Sequence, residues 1–210
     1  MTFRIVVLGL GHAGRSVHLP ALERLRGVEV VATCDPSAER RAAAGASAGP
    51  TFADPQEALA QPADAVVIAT PPDTHAELAA AALSARLHVY VEKPMATDLV
   101  AARDMARLAS ETGRTLQVGY AYRFHPLWER MRSAVARERV RGPFEIRGTF
   151  DAAAGDGWEH PVLGVGLHHV DLVSTIVPEP TPIDVEVVGD GLTVRWPDGS
   201  LLRGRYGPGP

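Results

Sequence analysis

The sequence predicts an α/β protein in two parts, an N-terminal domain on a parallel sheet and a smaller α+β domain on a mainly antiparallel sheet. Three observations predict it. Short apolar, β-branched runs alternate with helical patterns from residue 3 to about residue 120, the rhythm of a parallel sheet covered by helices on both faces. A glycine-rich turn follows the first of these runs at once. Beyond residue 180 the pattern changes to three short runs joined by Gly/Asp and Pro/Asp/Gly turns, the signature of antiparallel strands.

The elements follow in order. Residues 3–8 read as a strand buried on both faces. Residues 15–26 read as a helix in which Pro20 marks a kink or a start. A second strand covers 28–33 and leads into Asp35. Residues 51–60 read as a short helix with Asp54-Pro55 at its start. A buried strand at 65–69 precedes an Ala/Leu helix at 76–85, and a strand at 87–91 precedes an amphipathic helix at 98–112 bounded by Gly113. Residues 115–120 form one more strand. A helix at 124–138 carries arginines on its outer face, 144–150 alternates as a half-buried strand does, and 162–177 is apolar enough for a packed helix. Strands at 185–188, 192–196 and 201–206 close the pattern. The domain boundaries that follow are 1–122, 123–206 and a disordered tail at 207–210.

Gly9-Leu10-Gly11-His12-Ala13-Gly14 is a G-x-G-x-x-G turn, common by chance on its own, but here a strand stands before it and a helix after it. Asp35 ends the next strand, 21 residues beyond Gly14. That is the dinucleotide-binding pattern of a Rossmann domain: the glycines let the backbone approach a pyrophosphate, and the acidic residue takes the ribose hydroxyls. Asp35 would repel a phosphate on that ribose, which favours NAD. Arg40 and Arg41 would suit such a phosphate, which leaves NADP as the alternative.

Composition narrows the partners. A formal charge of -4 and scattered basic residues point away from nucleic acid. The single cysteine, Cys34, excludes an internal disulfide and fits a reducing compartment. The opening apolar run is too short for a signal segment, and no stretch approaches the ~18 apolar residues of a membrane span. The expectation is a cytoplasmic protein with a small-molecule substrate, no membrane and no metal. Of the 21 Lys and Arg residues, 20 are arginine, and the one lysine is Lys93 in Glu92-Lys93-Pro94. Arginine stays charged, whereas a buried lysine can exchange a proton.

Gly9-x-Gly11-x-x-Gly14, Thr70-Pro71 with His75, Glu92-Lys93-Pro94 and Gly119-Tyr120-x-x-Arg123-Phe124, in this order and spacing, resemble the Gfo/Idh/MocA family of nicotinamide-dependent oxidoreductases. The resemblance runs from residue 3 to about 171 and implies a short member with a reduced C-terminal domain. It implies that Thr70 and Pro71 line the nicotinamide end and that Lys93 lies close to the reacting carbon. It sets His168 of His168-His169-Val170-Asp171 in the place of the catalytic histidine. His12, Ala13, His75 and Glu92 join the glycines and Asp35 as cofactor contacts, with His75 reading equally as a residue bonded to its own turn. Tyr120, Arg123 and Asp171 join Lys93 and His168 around the substrate. Tyr120 and Arg123 also read as a solvated pair at a strand end, and His168 as a satisfied interdomain histidine.

Hydride transfer needs a group to handle the hydroxyl proton, and Lys93 and His168 suit that task. Asp171, three residues on from His168, shares its helix face and could orient the imidazole, while His169 faces elsewhere. Glu92 would raise the lysine's pKa if it pointed at the amine, so it is expected to face away or to take a backbone group.

Two departures from the family pattern stand out. Gly164 occupies the place of an aspartate four residues before His168, with Asp156 or Glu159 as substitutes, and Trp158-Glu159-His160 replaces a glycine-rich run. Only 88 residues follow from Arg123 onward, which implies a thin second sheet with exposed edges. A homodimer or larger assembly would cover them. Two functions follow: an oxidoreductase acting on a sugar, cyclitol, or keto or imine derivative, and a dinucleotide-binding protein without turnover that serves as a sensor or partner subunit.

Overall fold

The computed structural model describes residues 2–45, 48–137, 143–151, 166–177 and 180–207. It falls into two compact units, Met1–Gly119 and Tyr120–Pro210.

The first unit is a six-stranded parallel sheet in the order β3-β2-β1-β4-β5-β6. Its strands are β1 (Phe3–Leu8), β2 (Val28–Cys34), β3 (Thr51–Phe52), β4 (Ala65–Ile68), β5 (His88–Val91) and β6 (Leu116–Val118). Strand β1 shows why the run is apolar throughout. Val6 and Leu8 face one core with Leu78, Leu83 and Met105, while Ile5 and Val7 face the other with Leu10, Leu19 and Ala48. A strand with a core on each side has no polar face to alternate. Burying each such side chain contributes about 1.5–3 kcal/mol.

Helices α1 (Leu19–Glu23), α2 (Ala38–Ala42), α3 (Pro55–Leu59), α4 (His75–Ser84) and α5 (Leu99–Thr112) connect the strands. Helix α5 begins where Asp98 accepts the Ala101 N–H at 2.9 Å and ends at Gly113 with φ +65°, as its sequence requires. Two segments differ from expectation. Residues 12–18 wind as a π-helix, and Pro20 lies in the first turn of the α-helix that follows, where its missing N–H costs nothing. Thr51 and Phe52 are not helical: they pair with Thr33 and Cys34, and only from Pro55 does a helix form, capped by Asp54.

The order of the sheet reverses between β1 and β4, and every strand ends at the same edge. Backbone bonds stitch the loops along this edge: Gly9 N to Cys34 O, Ala69 N to Leu8 O, Glu92 N to Ile68 O and Gly119 N to Val91 O, all 2.7–2.9 Å. In an open α/β sheet this is where ligands bind.

The second unit pairs α6 (Pro126–Arg137) and α7 (Leu167–Ser174) with a four-stranded sheet in the order β7-β10-β9-β8. Strands β8 (Asp184–Val188), β9 (Gly191–Arg195) and β10 (Leu201–Gly207) form an antiparallel meander, and β7 (Glu145–Asp151) joins β10 in parallel. Val173 and Val177 close a core over Leu192, Val194, Trp196, Leu202 and Tyr206. The expected helix at 124–138 starts later, because His125 precedes Pro126 and is held extended, with ψ 130°. Residues 121–124 form a separate 3-10 turn. Strand β10 includes Gly207, and residues 208–210, 138 and 162–165 lie outside the described residues. No helix among the described residues is long and apolar enough to cross a membrane, and none of their His, Cys, Asp and Glu side chains gather as a metal set of three or more.

Candidate functional site

The glycine turn has the shape of a phosphate cradle. Gly9 has φ +93°, and a Cβ there would lie 2.4 Å from Ala69 O; one on Gly14 would lie 1.9 Å from Gly9 O. These two glycines let the turn pack on β4 and on itself. At Gly11 a Cβ would meet nothing within 4 Å, so that side of the turn faces open space. His12 and Ala13 follow on the π-helix, His12 exposed and Ala13 half-buried. This open, side-chain-free face fits a pyrophosphate.

Asp35 is only 3% exposed, and each carboxylate oxygen already accepts a backbone N–H, Oδ2 from Leu10 and Oδ1 from Ser37, both at 2.9 Å. It therefore holds the glycine turn to the end of β2. A carboxylate has about four acceptor positions, so these two backbone bonds do not fill it. Arg41 donates to the carbonyls of Asp35 and Pro36 at 2.7 and 2.9 Å, which commits it to the backbone. Arg40 lies 3.5 Å from Asp35 Oδ2 with its side chain mostly in solvent.

Thr70 and Pro71 form the turn after β4, where the Thr74 hydroxyl lies 2.8 Å from both Thr70 Oγ1 and Pro71 O. His75 was expected at the cofactor, with its own turn as the rival partner. Its ring is fully buried, with Nε2 2.9 Å from Thr70 O and Nδ1 2.8 Å from Pro94 O. Both ring nitrogens lie within hydrogen-bond distance of carbonyls, and the tautomer decides which carbonyl receives the ring N–H, so the ring sits between two loops of the sheet edge as a structural tie. It joins the Thr70-Pro71 turn to the Lys93-Pro94 loop, whose peptide bond is cis.

Lys93 is half-buried, and burial lowers its pKa below the ordinary lysine value while the neighbouring Glu92 charge opposes that. Glu92 does take a backbone group: its Oε2 accepts the Lys93 N–H at 3.2 Å, and its Oε1 accepts from His18 Nε2 at 2.8 Å. Burial alone would raise the Glu92 pKa. The His18 bond and charge, then the Lys93 N–H and charge, bring it below the carboxylate norm. His18 was assigned no part in the site by sequence. Its only signal is a position four residues past Gly14 in a segment that reads as plain helix.

In the second unit, the 3-10 turn and α7 gather Tyr120, Tyr122, Arg123, His168 and Asp171. The His168 ring stacks on Tyr122 with centroids 4.3 Å apart and meets the Tyr120 ring edge-on at 6.1 Å. Asp171, buried, receives Arg123 through Nε at 2.7 Å and through a second, very short bond from the terminal guanidinium nitrogen. Both oxygens of this carboxylate, expected to orient His168, accept from Arg123, and the pairing raises the arginine's pKa. Arg123 also lies 5.8 Å from the centre of the Tyr120 ring. Burial, then the Asp171 charge, pushes the Tyr120 hydroxyl's pKa up. Tyr122 is the residue sequence reasoning missed here; the 3-10 geometry brings it round to the imidazole. His169 points elsewhere, its Nδ1 2.7 Å from the Tyr206 hydroxyl. A cleft of about 390 Å³ beside these residues is lined by Tyr122, His125, Leu127, Trp128, Met131 and Leu172. Gly164, Asp156, Trp158, Glu159 and His160 lie outside the described residues.

Comparison with known proteins gives these features a context. The chain is 40% identical over 138 residues to inositol 2-dehydrogenase of Mycolicibacterium smegmatis, covering 63% of this chain and 39% of that protein. It is 30% identical over 195 residues to UDP-N-acetylglucosamine 3-dehydrogenase of Acidithiobacillus ferrooxidans, covering 89% and 58%. The chain thus spans about two fifths of the length of the inositol dehydrogenase it matches. Its fold superposes on scyllo-inositol dehydrogenase of Lactobacillus casei, solved with NAD(H) and scyllo-inositol, with TM-score 0.85 at 17% identity over 100% of this chain and 71% of that one. Myo-inositol 2-dehydrogenase of Lactobacillus plantarum gives TM-score 0.85 at 19% identity over 99% and 70%. The model of the Gfo/Idh/MocA oxidoreductases, with their NAD-binding Rossmann fold, matches residues 3–120. More than half of the chain carries that match, and the protein belongs to the Gfo/Idh/MocA oxidoreductase family.

Proposed function

We propose that the protein is an NAD-dependent oxidoreductase that moves hydride between the nicotinamide and a small polar substrate, a sugar, a cyclitol, or a keto or imine derivative. The observation that carries this reading is the His75 tie. One buried ring is wedged between Thr70 O and Pro94 O, within hydrogen-bond distance of each, and so holds the Thr70-Pro71 turn beside the Lys93 loop on the ligand edge of the sheet. NAD, when bound, supplies the hydride acceptor or donor.

Gly9, Gly11, His12, Ala13 and Gly14 hold the pyrophosphate, and Asp35 receives the ribose hydroxyls with its remaining acceptor positions. Asp35 and the committed Arg41 favour NAD over NADP. Thr70 and Pro71 border the nicotinamide. Lys93 donates to the substrate oxygen and takes or returns its proton; the burial that lowers its pKa makes that proton easier to give up. His168 serves as a second acid/base, held between Tyr120 and Tyr122. Arg123, aimed by Asp171, offers its exposed guanidinium to substrate oxygens. The second unit carries the substrate side of the reaction and the contacts of a homodimer.

The test is a fluorescence titration with NADH, followed by turnover on a panel of inositols and nucleotide-linked hexoses. Lys93→Arg is expected to bind NADH within about threefold of the parent and to lose at least ~100-fold in kcat, the range of general acid–base catalysis. No NADH binding would sink the oxidoreductase reading. Tight NADH binding with no turnover on the whole panel would move the protein to the other reading, a dinucleotide-binding sensor or partner subunit.

A further inference from the structure

Beside Lys93 stand three ionisable side chains to which the reaction above gives no step: His18, Tyr90 and Glu92. Glu92 joins two loops of the sheet edge, because its Oε1 accepts from His18 on the π-helix and its Oε2 accepts the Lys93 N–H. His18 is itself mostly buried and sets its ring edge-on against Tyr90, with centroids 5.3 Å apart. Gly119 leaves room for the group: a Cβ there would lie 2.6 Å from the Tyr90 hydroxyl and 3.2 Å from the Glu92 carboxyl carbon. The carboxylate is thus held from two sides, walled by a third element, and adjacent to the only lysine of the sequence.

We propose that His18 is a positioning residue that sets the acidity of Lys93 through Glu92. A carboxylate close to an ammonium favours the charged form, and it does so most when it is free to swing onto the amine. The bond from His18 occupies one carboxylate oxygen and fixes the group's direction. With the other oxygen on the backbone, Glu92 exerts a fixed and limited pull on the amine, and burial of Lys93 acts against it. Without His18 the carboxylate gains freedom to turn, and the lysine is held protonated. Among the described residues, the ionisable groups facing Glu92 are His18 from the π-helix, Tyr90 from β5, and Lys93. The proposal rests on the reading of Lys93 as the proton-handling group for its importance to turnover, though not for its measurement.

Because Lys93 is the only lysine, trace acetylation with acetic anhydride reads it directly. The protein is labelled without cofactor across a pH series, and the peptide carrying Lys93 is quantified by mass. The midpoint of the profile reports acidity, and its plateau reports access. His18→Leu is expected to move the midpoint up and slow labelling below it by roughly threefold or more. Glu92→Gln is expected to move the midpoint down. His18→Gln, which keeps an N–H for Glu92, is expected to restore the parent profile. In the double variant His18→Leu/Glu92→Gln the profile is expected to match Glu92→Gln alone, since His18 acts only through that carboxylate.

A parent-like midpoint in His18→Leu, a His18→Gln profile no better than His18→Leu, or additive shifts in the double variant would each overturn the proposal. Should His18→Leu fail to fold, Glu92→Gln decides, and an unmoved midpoint there overturns it too. The two readings fail separately. If labelling behaves as expected while Lys93→Arg turns over normally, the catalytic role falls and the tuning stands; the reverse pattern removes the tuning alone.

Discussion

Cys34 ends β2 with its thiol buried beside Asp35, and that position gives it a measurable effect on stability. Burial, then the charge of Asp35, pushes the thiol from its ordinary 9.0 up to about 11. The folded state therefore keeps the proton at a pH where the unfolded chain has lost it. The sign follows directly: stability from this group is fully present below about pH 9 and is lost as pH rises toward 11. The loss is on the order of 3 kcal/mol. Lys93 works in the opposite sense, because its lowered pKa makes the folded state release a proton first, so its burial penalty is relieved as pH rises. The measurement is urea unfolding at mildly and strongly alkaline pH for the parent and Cys34→Ala. The parent is expected to lose more stability than the variant; equal slopes would show that the thiol does not feel its surroundings. The same burial predicts that an aromatic disulfide reagent at neutral pH reacts with Cys34 only as the chain unfolds.

At the scale of elements, β7 and β10 pair in parallel with Gly148 directly opposite Gly204. The two glycines leave a hollow that Tyr206 and His169 fill with their hydrogen bond. A Cβ on Gly204 would lie 2.2 Å from the Tyr206 hydroxyl, and one on Gly148 would lie 3.1 Å from the His169 ring. Tyr206 is fully buried, so its hydroxyl has nowhere to retreat. Gly204→Ala is expected to cost about 2–3 kcal/mol and Gly148→Ala about 1, the range of overpacking. Chemical denaturation of both variants checks the order, and a costless Gly204→Ala would mean the hollow is larger than described. Neither glycine announced this role in the sequence, because the contact depends on pairing two strands far apart in the chain. What sequence did show was local: the caps of α5 at Asp98 and Gly113, and the two-faced run of β1. Thr51 and Phe52 read as helix because a two-residue strand carries no period of its own, and its form comes from β2. Helix α2 went unread because Glu39, Arg40 and Arg41 give it no apolar stripe, though Ser37 caps it. At the site, sequence identified Lys93, Arg123, His168 and Asp171 as residues of interest. The bond between Arg123 and Asp171, the burial of His75, and the use of His18 were fixed by contacts between elements, which spacing does not encode.

At the scale of the molecule, the sheet of the second unit leaves one edge open to solvent. In the second unit β8 is an edge strand, and all five of its residues are exposed. Its row is apolar for an edge, with Val185 at 55%, Val187 at 46% and Val188 at 70% exposure, and Ile183 just before it at 69%. Edge strands in proteins that stay monomeric are usually short, bulged, or guarded by lysine or proline. Here Asp184 and Glu186 are the charges, and Arg195 on β9 draws Asp184 inward at 3.5 Å, leaving Glu186 as the guard of the strand's middle. A second copy of the chain, adding its own β8 or covering the valines, would bury this row. The expected outcome is a homodimer by light scattering, at twice the mass of the chain. Val187→Lys sets a charge in the centre of the row and costs the fold little, because the residue is already in solvent. It is expected to shift the species to a monomer while leaving the far-UV spectrum and NADH binding unchanged. A parent that scatters as a monomer over the full working concentration range would remove the dimer. A variant that stays dimeric would move the interface to another face of the second unit.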